Sequence, residues 1–191
     1  MFDTLQAIRD DAMQRLTRAA TDRRSPMHTP VVATADADLR VMVLRAFEQA
    51  DRTLRFHTDT RAPKVAVIRE QPQVGVLFYD KAEKVQIRCR GSARVEPDSA
   101  RAQAAWEAGS NFARRCYLGD GPGTVKDAAA SGLPEAFEGA EPSDRELVPA
   151  RANFAVLMIA IEQLDWLYLA HDGHRRARFD LVTGDSRWVT P

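Results

Sequence analysis

The chain has 191 residues, 45% of them apolar, and carries 27 Lys plus Arg against 27 Asp plus Glu. That is enough for one good-sized domain, residues 1–191, with a real core, and the balanced charge argues against a general polyanion binder, so nucleic acid is not an expected partner. The longest apolar run, FAVLMIAI at 154–161, is far short of the roughly 20 residues that cross a bilayer, so no membrane span is expected.

Acidic Asp3, Asp10 and Asp11 speak against a secretory or transit signal, and two cysteines, Cys89 and Cys116, with no C-x-x-C spacing fit reduced thiols in a cytoplasm. Within residues 1–24, apolar Phe2, Leu5, Ile8, Ala12, Leu16 and Ala19 or Ala20 recur every three or four positions and predict an amphipathic helix. RRSPMHTP at 23–30 breaks it, and VVATA then reads as a strand ending in the polar turn ADAD. LRVMVL (39–44), RTLRFHT (52–58) and VGVLFY (74–79) read as strands, with a short helix in APKVAVIREQP between the last two, ended by Pro72. In KVQIRCRGSARV (84–95), Val85, Ile87 and Cys89 alternate with Gln86, Arg88 and Arg90, so one face enters a core and the other presents an amide and two guanidinium groups.

Asp98 is the expected N-cap of an alanine-rich helix in DSARAQAAWEAGSNFARRCY. Residues 119–149, rich in Gly, Pro, Ala and acid, predict a long excursion with at most one short helix. FAVLMIAIEQLDWLYLA then reads as one long or two short strands, and RARFDLVTGDSRWVTP as a hairpin turning at TGDS. The fold class expected is α+β, with about six or seven mainly antiparallel strands closing toward a barrel, and two substantial helices.

The alternation puts Arg40, Met42 and Leu44 on one face of their strand and Val41, Val43 and Arg45 on the other. Thr58, Thr60, Arg61 and Lys64 follow the next strand, with Lys64 near a helix start, where unpaired backbone N–H groups favour an anion such as a phosphate monoester. The plainer reading of these basic groups is solvated ion pairing with the many carboxylates.

The order of these segments resembles a known family. R-V-M-V-L-R (40–45), F-H-T-D (56–59), Lys64, Q-P-Q-V-G-V-L-F-Y (71–79), V-Q-I-R-C-R-G (85–91), and I-E-Q-L-D-W-L-Y-L followed by H-R-R-A-R-F are similar to the pyridoxamine 5'-phosphate oxidase family. The likeness covers residues 28–95 well and 161–191 fairly. It implies a split β-barrel that binds FMN at a homodimer interface, and hydride transfer between a small-molecule substrate and the flavin. Carried over position by position, it assigns FMN contacts to Arg40, Val41, Met42, Val43, Leu44, Arg45, His57, Thr58, Lys64, Gln86, Tyr168 and Arg178, with Arg61 as a substitute phosphate ligand, and substrate contacts to His174 and Arg176.

Several positions depart from the family pattern. Ala62 and Pro63 stand where a serine and an arginine precede the lysine, Tyr168 stands where Trp is usual, and the partner-facing Gln-Ser pair is replaced by CYLGDGPGT, a glycine-rich candidate anion nest. The substrate-phosphate Tyr and Arg have no match around Trp106–Arg115, so authentic vitamin B6 oxidation is not expected. No side chain is singled out as catalytic, and no metal site is expected, since HDGH at 171–174 lies beside three arginines. The alternative function is a flavin- or haem-binding carrier or sensor without turnover, and a third is a barrel that only dimerises.

Overall fold

The computed structural model describes residues 2–171 and 173–191. Asp172 of the HDGH quartet therefore lies outside the described residues. In chain order the elements are α1 (Leu5–Thr21), β1 (Val31–Ala33), β2 (Leu39–Val41), β3 (Ala46–Glu48), β4 (Thr53–Asp59), α2 (Pro63–Glu70), β5 (Gln73–Asp80), β6 (Val85–Glu96), α3 (Ala100–Glu107), α4 (Asn111–Arg114), α5 (Asp144–Leu147), β7 (Phe154–Tyr168), β8 (Arg175–Asp180) and β9 (Ser186–Trp188). The class is α+β, and none of the described helices is long and apolar enough to cross a membrane.

The chain forms two compact units. The first comprises the chain up to Phe56, Gln71–Arg94 and Met158–Pro191; the second comprises His57–Glu70 and Val95–Leu157. The sheet belongs chiefly to the first, in the order β2-β1-β5-β6-β7-β4-β3, with β8 paired to β7 and β9 to β8. The β1–β2, β1–β5, β3–β4, β5–β6, β7–β8 and β8–β9 pairings are antiparallel.

α1 begins after Thr4, whose hydroxyl accepts the Ala7 N–H at 3.1 Å, one of the donors a helix start leaves without a partner. Ile8, Ala12, Leu16 and Ala19 are buried as their spacing predicts, and Met13 joins them. Phe2 falls ahead of the helix; its ring lies 4.7 Å from Trp166 and 5.5 Å from Tyr168, centroid to centroid. On β6 the alternation is as expected, with Val85, Ile87 and Cys89 buried and Arg88 and Arg90 exposed. β7 is one strand of 15 residues, and Phe154–Ile159 are buried on both of its faces, which is why that stretch is continuously apolar rather than alternating.

Some expectations are corrected. The strand expected over 39–44 ends at Val41. Beyond it Met42 donates to Pro30 O at 3.0 Å and Leu44 to His28 O at 2.9 Å, so the chain stays extended, but Pro30 has no N–H to return and the ladder lapses. Arg45 N then turns to Arg55 O at 2.8 Å, and the unforeseen β3 pairs with β4. Nine strands form among the described residues, not six or seven.

The cap of α3 is Ser99 rather than Asp98: the helix enters one residue later, and the Ser99 hydroxyl accepts the Ala102 N–H at 3.1 Å. The single helix expected beyond it is divided. α3 ends at Glu107, Ser110 recaps α4 by accepting from Ala113 N at 3.2 Å, and Arg115–Leu118 tightens into a 3-10 turn. Residues 119–149 hold a 3-10 turn at Glu135–Phe137 and α5, the latter started by a reciprocal capping box between Ser143 and Glu146.

Candidate functional site

The residues assigned by resemblance fall into two groups, one in each unit. In the first unit, Arg40 on β2 is half-buried and directed inward with Met42 and Leu44, both buried, while Val41 and Arg45 are exposed and Val43 half-buried. Its guanidinium is already engaged: it pairs with the Asp38 carboxylate and donates to the Thr34 hydroxyl at 3.0 Å and to Val32 O at 3.4 Å. Gln86 is half-buried on the outward face of β6, opposite Tyr79 of β5. Tyr168 ends β7 and packs on Phe2 and Trp166.

Arg178 on β8 donates from Nε to Asp165 Oδ2 at 2.9 Å. Asp165 also accepts two bonds from Arg176, Nε to Oδ1 at 2.9 Å and a terminal nitrogen to Oδ2 at 2.8 Å, and one from Arg88 at 2.8 Å. Burial works against ionisation of Asp165, but the hydrogen bonds from Arg176 and Arg178 and the charge of Arg88 outweigh it and hold the carboxyl below its ordinary value. Arg176 is therefore committed to Asp165, while His174 stands exposed just before β8.

In the second unit the His57 ring meets Phe154 edge-on, 5.0 Å between centroids, within a cluster that includes Trp106 and Tyr117. Thr58 is buried. Arg61 forms a two-pronged pair with buried Asp59, Nε to Oδ1 at 2.9 Å and a terminal nitrogen to Oδ2 at 2.7 Å, and donates to Gly119 O at 3.0 Å. Its hydrogen bonds to Asp59 raise its pKa above the ordinary guanidinium value. The glycine-rich segment of CYLGDGPGT lies against this group: a side chain at Gly121 would meet Arg61 Cβ at 3.3 Å, and Gly123 takes a positive φ of 90° beside Pro63. Asp120 in that segment pairs with Lys126 at 2.5 Å, which places a carboxylate where an anion nest was expected.

Lys64 is half-buried at the second position of α2. Pro63 opens that helix and has no N–H, and the Val65 N–H is taken by Ala62 O at 2.8 Å, so the first turn offers the Lys64 cation at the positive end of the helix. That charge suits a phosphate dianion.

The sequence reading did not single out Asp165 and Arg187 as a group with Arg88 and Arg90. Their signal was the alternation of β6 combined with strand register, and register is not readable from one strand alone. Among the described residues no group of three or more His, Cys, Asp and Glu side chains is placed to hold a metal ion.

Residues 9–97 match the sequence profile of the pyridoxamine 5'-phosphate oxidase FMN-binding domain family. No curated protein sequence matches the chain significantly. Among solved structures, a pyridoxamine 5'-phosphate oxidase-related, FMN-binding protein from Nostoc punctiforme is 25% identical, with a TM-score of 0.72 over 96% of each chain. PhzG from Burkholderia lata, solved with tetrahydrophenazine-1-carboxylic acid, is 16% identical, with a TM-score of 0.69 over 100% of this chain and 95% of that one. A general stress protein 26-related protein from Clostridium acetobutylicum is 11% identical, with a TM-score of 0.57 over 95% and 99% of the two chains. The last two share the fold alone. Over residues 9–97 the chain is thus similar to the pyridoxamine 5'-phosphate oxidase FMN-binding domain family, and its fold is the split-barrel architecture of these structures.

Proposed function

We propose that the protein binds FMN and acts as an oxidoreductase on a small substrate other than the vitamin B6 phosphates. The observation that carries this reading is the ordered set Arg40, Thr58, Lys64 and Gln86, in a chain 25% identical over nearly its whole length to a structure described as FMN-binding. Bound FMN would supply hydride transfer; the protein would supply binding and orientation.

Lys64, at the positive end of α2, would hold the phosphate, and Gln86, able both to donate and to accept, would meet the polar edge of the ring. Arg40, held by Asp38 and Thr34, would meet the flavin in a fixed orientation, with the backbone of 41–45 beside it. Thr58, His57, Tyr168 and Arg178 complete the proposed contacts. Arg61 serves better as a tie between Asp59 and Gly119 than as a phosphate ligand, because its donors are engaged there.

A homodimer is part of the same proposal. Leu39 and Val41 are 63% and 64% exposed, and the register sets Val41 beside Val31 and Val31 beside Leu77, so one face of β2-β1-β5 is apolar and uncovered within the chain. A second copy would cover it. The competing reading, a flavin carrier without turnover, is favoured by one observation: Arg176, assigned to the substrate, is bound to Asp165 instead.

The test is the visible spectrum of the purified protein after FMN is added and the excess removed, with light scattering to give the mass. A stoichiometric flavin band and a dimer are expected, and Lys64→Ala should weaken FMN about tenfold, as loss of a charge-assisted contact does. A wild-type protein that retains no flavin overturns the reading. Flavin bound but never bleached anaerobically by candidate small substrates favours the carrier.

A further inference from the structure

The register of the first unit builds a row of charge across four neighbouring strands. Arg88 of β6 bonds Asp165 of β7, Asp165 faces Arg178 of β8, and Arg178 faces Arg187 of β9 directly. Two arginines directly opposite each other on antiparallel strands repel, and such pairs destabilise a sheet unless an anion stands between or above them. Asp165 is shared by Arg88, Arg176 and Arg178. Asp180, the next carboxylate, accepts the Val182 and Thr183 N–H groups of the β8–β9 turn at 3.0 and 2.9 Å, and the nearby Arg187 charge also favours its ionised form.

Over this row lies a cavity of about 250 Å³ lined by Arg88, Arg90, Arg178 and Arg187, whose aliphatic stems give it apolar wall, and by Gln163 and Thr183; the side chains of Leu164 and Phe179 are buried on the opposite face of β7 and β8. Arg176 stands behind Asp165, so five guanidinium groups meet the three carboxylates of Asp165, Asp180 and Asp185. Each guanidinium has five N–H donors. Arg88 and Arg178 each place one on Asp165, while the guanidinium groups of Arg90 and Arg187 donate no hydrogen bond to any described residue. The wall therefore combines planar donors open to a ligand, surplus positive charge and the apolar stems of the arginines. Two-pronged arginine donors match a carboxylate, and the apolar stems match a carbon body attached to it.

We infer that this cavity binds a small organic carboxylate, with Arg90 and Arg187 as its principal anchors and Asp165 as the positioning residue that orders Arg88 and Arg178. Naming that anion the substrate of the reaction rests on the FMN reading; its binding does not. The chemistry separates it from inorganic phosphate, which has no carbon body, and from a neutral amide, which has no charge.

The test is calorimetric titration of the full chain with benzoate, inorganic phosphate and benzamide, before and after addition of FMN. Saturable binding of benzoate is expected, with phosphate and benzamide each at least about tenfold weaker. Arg187→Gln and Arg90→Gln should each weaken benzoate about tenfold with unchanged circular dichroism. Arg187→Lys keeps the charge but loses the planar fork, and should recover only part of the affinity. The inference is overturned if benzoate does not bind, if benzamide or phosphate binds as well, or if the folded variants bind benzoate like the wild type. A chain that binds benzoate but takes up no FMN refutes the flavin reading alone; one that takes up FMN but not benzoate refutes the carboxylate site alone.

Discussion

The indole N–H of Trp166, on β7, donates to Oδ2 of Asp11, on α1, at 2.9 Å and across 155 positions of sequence. Trp166 is fully buried, and the same carboxylate oxygen accepts from Arg15 Nε at 2.8 Å. The bond gives a large apolar ring its polar partner and ties the N-terminal helix to the sheet. Asp11→Ala leaves a buried donor without an acceptor and should destabilise the protein by about 2 kcal/mol. Chemical denaturation followed by tryptophan fluorescence reads the change. Asp11→Asn, which keeps an accepting oxygen, should lose less; equal losses would show that the charge with Arg15, not the indole bond, is what matters.

Gly91 on β6 is a position where only hydrogen fits. A Cβ there would stand 1.9 Å from Ala160 O and 2.9 Å from Ala160 C, both backbone atoms of β7 that cannot rotate aside. Gly91→Ala should destabilise by about 3 kcal/mol and lower the thermal midpoint, whereas Gly75→Ala, whose Cβ would meet only Ala33 Cβ at 3.9 Å, should be much milder. Similar midpoints for the two variants would contradict the close approach.

Asp165 sets an acid limit on stability. Its folded pKa lies below the ordinary 3.8, so its guanidinium bonds contribute fully above that value. As pH falls from 3.8 through the folded pKa, the unfolded chain takes up a proton that the native state resists, and the contribution is lost. Denaturation midpoints between pH 6 and about pH 2.5 should fall at the acid end. Asp165→Asn should flatten part of that fall, while leaving Arg178 and Arg187 facing each other with less compensation.

The two thiols should differ in reactivity. Burial pushes the Cys89 thiol up to about 12, so almost no thiolate forms near neutrality, and the side chain is only 2% exposed. Cys116 is exposed. A disulfide exchange reagent at pH 8 should titrate one thiol quickly, and Cys116→Ser should abolish that phase. Cys89 should react only on unfolding; a fast second thiol in the native protein would contradict the packing of β6.

Local patterns carried much of the fold. The three- and four-residue spacing of Ile8, Ala12, Leu16 and Ala19 gave α1 its buried face, and the alternation of Val85 to Arg90 gave β6 its two faces, because both depend on neighbours within one element. The short strands were less legible. β3 is three residues long and exists because Arg45 finds Arg55 across the sheet, and β2 stops where Pro30, eleven positions earlier than Val41, lacks a donor. The Asp98 cap was displaced to Ser99 because either residue could accept and only the chain's entry into α3 chose between them.

The sequence by itself determined the likeness to the family, the positions of Arg40, Lys64 and Gln86 within their elements, and the inward and outward faces of β6, since these follow from residue order and from the fixed periods of helix and strand. Only the tertiary structure decided how the arginines are committed. It bound Arg61 to Asp59 and Gly119, gathered Arg88, Arg176 and Arg178 on Asp165, and left Arg90 and Arg187 facing a cavity. The reason is that a guanidinium's partners lie across strands whose register is set by long-range pairing, and charge along a single strand carries no record of what that pairing brings beside it.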